Sequence, residues 1–206
     1  ILFIHLDVRG IPGGSYLKQL NRAYIHIQQC VYRYEGIVNK LNFNEKGLVV
    51  LCSFGIPVAH LNDIERAIIA ARAVLDYPQK SVFRIGCTYN NVYAGILGSP
   101  VRYEYGIIGS GVNAAARLMQ EAAVDQILIT GSMLQTVGVR FQCEYLKDTT
   151  VKGFLDPISI YQIKSELPVS YHSLSRLFAE QRMVAWQDEL SRVEDGLING
   201  DQPFRL

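Results

Sequence analysis

Residues 1–7 carry large apolar and β-branched side chains almost without a break, which predicts a buried strand, and the RGIPGG that follows predicts a turn. From Ser15 the apolar positions Leu17, Leu20, Tyr24, Ile27, Val31 and Tyr34 recur every three or four residues, so a long amphipathic helix is expected to close near Gly36. IVNKLNF and GLVVLCSF, joined by the polar NEK, read as a hairpin. The helical spacing returns at Ile64, Ala67, Ile68, Ala71 and Leu75 and stops at Pro78. SVFRIGCTY and VYAGIL flank Asn90 and Asn91, residues that tolerate left-handed backbone, and are expected to pair as a second hairpin. Further on, QILIT, RFQCEYL and ISIYQI read as strands, with a short helix from about Ser132 to Val137. Past Ser165 the apolar positions Leu174, Leu177, Phe178, Trp186, Leu190, Val193 and Leu197 predict a helical tail. This order predicts an α/β (α+β), ferredoxin-like domain over residues 1–164 and an appendage over 165–206. Two β-α-β units with antiparallel hairpins would form a mainly antiparallel central sheet, with the helices packed on one face.

Composition narrows the classes of function. A chain of 206 residues that is 49% hydrophobic has ample material for a core. Its 20 basic and 19 acidic residues give a formal net charge of +1, too balanced for a nucleic-acid or anionic-lipid footprint, and neither partner is expected. No apolar run approaches the ~20 residues that cross a bilayer, and the abrupt opening on a strand pattern is what a piece of a longer protein would show. Cys30, Cys52, Cys87 and Cys143 lie far apart with no C-x-x-C pair, which points to a reducing cytoplasm. His5, His26, His60 and His172 are equally scattered, at no spacing typical of zinc.

Three segments carry candidate chemistry. In RYEYGIIGSGVNAAARL the glycines fall at Gly106, Gly109 and Gly111 and no lysine follows, so both the G-x-G-x-x-G and P-loop patterns fail. The helix this segment enters is expected to bury Val112, Ala115, Ala116 and Met119, with Ser110 as its cap. Asn113, Arg117 and Gln120 share another face, either a solvated surface or the rim of a site. Lys40 interrupts an apolar strand pattern, which suits a ligand contact or an edge-strand charge against aggregation. Asp7, at the end of the first strand, is placed to ligate a hard cation or to begin the turn.

Taken in order, LDVRGI, VNKLNF, FRIGCTYNNVYAGILGS, RYEYGIIGSGVNAAARL and VKGFLDPISIYQI resemble the catalytic domain of class III nucleotidyl cyclases over residues 1–164. The long KLNFNEKGLVVLCSFG hairpin is most similar to the second of the two tandem cyclase halves of soluble, bicarbonate-responsive adenylyl cyclases and their bacterial relatives. The tail RMVAWQDELSRVEDGLINGDQPFRL looks like the lead into a P-loop ATPase module.

The resemblance implies conversion of ATP to cyclic AMP and pyrophosphate, with two divalent ions, Mg²⁺ or Mn²⁺, assisting attack of the ribose 3′-oxygen on the α-phosphorus. It implies that Arg117 stabilises the phosphate charge, that Asn113 orients the ribose and that Lys40 binds the purine. Gly106 stands where the family places the second base contact, normally aspartate or threonine. Asp7 matches the first metal-binding aspartate, whereas Asn44 stands at the second, with Glu45 as a replacement. A second cyclase domain, in tandem or as a homodimer, is therefore expected to pair head to tail and bring most of the metal ligands. The alternative is a catalytically inactive, nucleotide-binding or regulatory cyclase-like domain that controls an adjoining ATPase.

Overall fold

The computed structural model describes residues 1–7, 16–44, 47–78, 82–151, 154 and 156–167. Residues Ile1–Leu167 form one compact unit, and the helix expected between Leu174 and Leu197 lies outside the described residues. The strands are β1 (Leu2–Asp7), β2 (Ile37–Asn44), β3 (Gly47–Ser53), β4 (Val82–Cys87), β5 (Tyr93–Ser99), β6 (Arg102–Ile108), β7 (Gln126–Thr130), β8 (Phe141–Thr149) and β9 (Ile158–Glu166). The helices are α1 (Tyr16–Arg33), α2 (Asp63–Leu75), α3 (Ser110–Glu121) and the single turn α4 (Leu134–Val137).

Seven strands form one sheet in the order β2-β3-β1-β4-β7-β9-β8, while β5 and β6 form a separate two-stranded hairpin. Among the described strands only β4 and β7 pair in parallel; β1 pairs antiparallel with both β3 and β4. That interior position explains the apolar LFIHL run, because a strand flanked on both sides leaves few solvent-facing positions, and four of its six residues are buried.

The hairpin expected between SVFRIGCTY and VYAGIL does not form. β4 is taken into the large sheet between β1 and β7, and β5 pairs instead with β6 around the Pro100 turn. The strand at 102–108 escapes notice in the sequence because its side chains are largely exposed and it lacks a buried alternating face.

Helices cover both faces of the sheet, not one. Phe83, Ile85 and Cys87 of β4 join Ala23, Ile27 and Val31 of α1 and Ala67, Ile68, Ala71 and Val74 of α2 in the main core. On the opposite face Leu118 and Ala122, at the end of α3, pack with Leu128 of β7 and Ile160 of β9. Strand alternation produces this division, since Ile127 and Ile129 point one way and Leu128 the other. Each large side chain fully buried in this way contributes about 1.5–3 kcal/mol.

Gly86 sets how closely α3 lies on β4. A Cβ there would stand 2.2 Å from the Ala115 carbonyl oxygen and 2.4 Å from the Met119 nitrogen. A glycine is required because helix backbone occupies the space a side chain would need. α3 buries Gly111, Ala114, Ala115, Leu118 and Met119, so the buried stripe is displaced from the expected Val112, Ala115, Ala116 and Met119. Ser110 is the first helical residue, not a cap; the N-cap is Gly109, with no side-chain cap bond. Near the start of α2, buried Arg66 donates to the Tyr34 carbonyl at 3.0 Å and to Glu35 at 2.6 Å, tying the end of α1 to α2.

Candidate active site

Lys40 lies on β2, the edge of the sheet, where its side chain is exposed. β2 is irregular at this point: Val38 pairs with Cys52 and Lys40 with Leu51, so Asn39 is an extra residue, a β-bulge. Regular alternation through Val38, Lys40 and Asn42 therefore fails, and the bulge re-aims the side chains around it. Between this stretch and the β5–β6 hairpin lies a cleft of about 540 Å³ lined by Val38, Asn39, Lys40, Leu51, Leu97, Glu104, Tyr105 and Gly106 among others. Its walls are mixed, aliphatic with one cation, one carboxylate and one amide, a suitable environment for a flat heterocycle with polar edges.

Gly106 faces Gly95 across the hairpin, and a Cβ added there would meet Leu97 Cδ1 at 2.3 Å. Leu97 thus fills the space a side chain at 106 would use. The glycines at 109 and 111 serve neighbouring close approaches, their virtual Cβ atoms falling 3.0 Å from Val92 and 2.6 Å from Asn90. Buried Thr88 donates from Oγ1 to the Gly111 carbonyl at 2.9 Å, which fixes the start of α3.

Asn113 and Arg117 are both exposed and one helical turn apart on α3. Lys40 and Gly106 line the cleft and these two do not. Arg117 donates from Nε to Glu121 Oε1 at 2.7 Å, and Lys147 of β8 reaches Glu121 Oε2 at 2.5 Å. The hydrogen bond from Lys147, together with the nearby Arg117 charge, holds the Glu121 carboxyl below the usual range. Two exposed cations thus converge on a carboxylate that is only 12% exposed. The Arg117–Glu121 pair was readable as an i, i+4 spacing; Lys147 was not, because a long-range sheet contact brings it in.

Asp7 ends β1 with its side chain 9% exposed, and its Oδ2 stands 3.6 Å from Arg84 Nη1 on β4. Arg84 Nη1 also stands 3.5 Å from His5 Nδ1. Asn44 closes β2, and Glu45 lies outside the described residues. Among the described residues no three His, Cys, Asp or Glu side chains gather to hold a metal ion. Two hard cations need bridging carboxylates from more than one position. A single carboxylate already facing a guanidinium does not fit a resident two-ion centre in the described part of this chain. Arg84 went unnoticed in the sequence because its pairing with Asp7 depends on β1 and β4 being neighbours.

The model of the adenylate and guanylate cyclase catalytic domain matches residues 36–165. The chain belongs to that family. It is 31% identical over 171 residues to adenylate cyclase type 10 of Rattus norvegicus, a match that covers 79% of this chain and 10% of the relative. The corresponding human protein is 31% identical over 149 residues, covering 68% of this chain and 9% of the relative. The chain thus spans about a tenth of the length of these relatives. Among solved structures it resembles the adenylyl cyclase CyaB of P. aeruginosa, with a TM-score of 0.67 and 22% identity over 80% of this chain and 93% of that one. The guanylate cyclase domain of RhGC from Catenaria anguillulae, solved in complex with GTP, gives a TM-score of 0.67 at 18% identity, covering 81% and 96%. Cyclase domains of this class bind nucleotide, dimerise and use divalent metal ions. The mixed α/β architecture with a mainly antiparallel sheet is theirs. No described helix is long and apolar enough to cross a membrane.

Proposed function

We propose that this chain is the second-half cyclase domain, over residues 1–164, of a multidomain cytoplasmic adenylyl cyclase. It converts ATP to cyclic AMP and pyrophosphate when paired head to tail with a first half that carries the metal-binding aspartates. The tail over 165–206 leads on to an ATPase module. The observation that carries the reading is Lys40 at a cleft of about 540 Å³ that is walled by the β5–β6 hairpin. In this reading Lys40 donates to the purine ring, Asn113 orients the ribose, and the Arg117 guanidinium meets the phosphates. The 3′-oxygen forms a bond to the α-phosphorus as the bond to the bridging oxygen of pyrophosphate breaks. Charge gathers on the non-bridging oxygens, where a fork of permanently protonated donors is most effective. Arg117 spends Nε on Glu121, which leaves its two terminal nitrogens to turn toward a phosphate.

A second reading, a non-catalytic nucleotide-binding or regulatory domain, draws support from Asp7 facing Arg84 and from Leu97 in the space beside Gly106. Mixing separates the two. The chain alone, with ATP and Mg²⁺ or Mn²⁺, is expected to make little cyclic AMP, and adding a first half with two metal-site aspartates should restore synthesis. Arg117→Ala should then lower the rate by about 100- to 1,000-fold, as for other oxyanion stabilisers. A mixture that stays inert would favour the regulatory reading.

A further inference from the structure

Position 106 in the cleft at Lys40 is glycine, so no side chain there can read the base. The carbonyl oxygen of Asn39, Oδ1, is buried and has no hydrogen-bond partner among the described residues. Asn39 is also the bulged residue of β2 and lines the same cleft as Lys40. These observations are independent and point the same way. A bulge is the device by which a strand turns two consecutive side chains toward one region instead of opposite faces. A buried acceptor without a donor is costly, and a donor brought by a bound molecule would relieve that cost.

We infer that Asn39 selects the base: its Oδ1 accepts a hydrogen bond from the exocyclic 6-amino group of a purine whose ring nitrogen is held by Lys40. This rests on the proposed reading of the cleft as a nucleotide site and adds the group that reads it. A 6-amino purine offers a donor beside a ring acceptor, which matches an amide oxygen beside a lysine ammonium. A 6-oxo purine in the same pose turns its O6 acceptor toward Oδ1 and its N1–H donor toward the ammonium, so both contacts are mismatched. Glu104 lines the same cleft, but its exposed carboxylate is solvated without a ligand and gains less from one.

The test is calorimetric titration of the chain with ATP, with inosine triphosphate and with purine riboside triphosphate, which lacks any 6-substituent. The native chain should favour ATP over both analogues by about tenfold, the worth of one well-placed hydrogen bond. Asn39→Ala should bring the three affinities together, and Asn39→Asp, which keeps an acceptor oxygen, should retain the preference for ATP. Glu104→Gln should leave the preference unchanged, and Lys40→Ala should weaken all three nucleotides. If Asn39→Ala keeps the preference while Lys40→Ala loses affinity, the cleft is the nucleotide site and Asn39 is not its reader. Transfer of the effect to Glu104→Gln overturns the inference in the same way. Failure of the native chain to bind any of the three, or indifference of binding to both Lys40→Ala and Asn39→Ala, overturns the inference and the nucleotide reading together.

Discussion

Replacing Gly86 with alanine adds one methyl group where α3 lies against β4. Its Cβ would stand 2.2 Å from the Ala115 carbonyl oxygen, 2.4 Å from the Met119 nitrogen and 2.8 Å from Leu118 Cβ. The first two are backbone atoms that cannot rotate away, so relief requires α3 as a whole to retreat by about 1 Å. Overpacking of this kind costs about 1–3 kcal/mol. It also loosens Leu118 from Leu128 and Ile160 on the same face. Asn113 and Arg117 ride on α3, and a displacement of about 1 Å at reacting groups costs about 100-fold in rate. Urea denaturation followed by far-ultraviolet circular dichroism measures the first effect, and cyclic AMP synthesis in a mixture with a first half measures the second. Gly95→Ala is the control, since its Cβ would meet only the end of the Tyr93 ring, with the hydroxyl at 2.8 Å, a side chain free to swing aside. A Gly86→Ala protein with native stability and native rate would refute the claim that this contact places α3.

Three further outcomes are expected. The lowered Glu121 pKa, caused first by the Lys147 hydrogen bond, means that its stabilisation is complete above the ordinary 4.5 and fades as pH falls through the native value. The stability gap between the native chain and Glu121→Gln should therefore be present at pH 6 and close in acid, and a gap independent of pH would count against the ion pairs. Burial pushes the Cys52, Cys87 and Cys143 thiols all up, but Cys143 is partly accessible while Cys52 and Cys87 are buried, so alkylation of the folded protein at neutral pH should reach Cys143 well before either, as mass spectrometry of timed digests would show; labelling of Cys52 at the rate of Cys143 would contradict this. Phe83→Ala, at a side chain 1% exposed in the main core, should cost about 3–5 kcal/mol of unfolding free energy, whereas Ile96→Ala, 70% exposed, should stay within about 0.5 kcal/mol; equal losses in urea would mean that the hairpin is buried by something else.

Elements with a strong period were legible from the residues alone. The LFIHL run became an interior strand of the sheet, the stripe through Ile27 and Val31 became α1, and the ordered motifs led to the family to which the chain belongs. What failed were partnerships. Nothing local in SVFRIGC says that it will sit beside QILIT and leave VYAGIL to pair with RYEYGII, because strand pairing is decided by the whole sheet. The same holds for α3: a single glycine at 86 draws it onto the far face, and the stripe it buries follows from that contact more than from its own spacing. At the candidate site, Lys40 and Gly106 were singled out in the sequence and share a cleft. Arg84 beside Asp7, Lys147 beside Glu121 and the bulge at Asn39 arise only from register, which sequence spacing does not encode.

The central claim is a division of labour in which this chain holds the nucleotide while a partner's carboxylates hold the metal ions. The rate of cyclic AMP synthesis by the mixed assembly, measured with Asp7→Asn and with Arg117→Ala in this chain, tests it most directly. Asp7→Asn should stay within about threefold of the native rate and Arg117→Ala should fall by about 100-fold or more. Equal damage from both substitutions, or full activity of the chain without any partner, would contradict it.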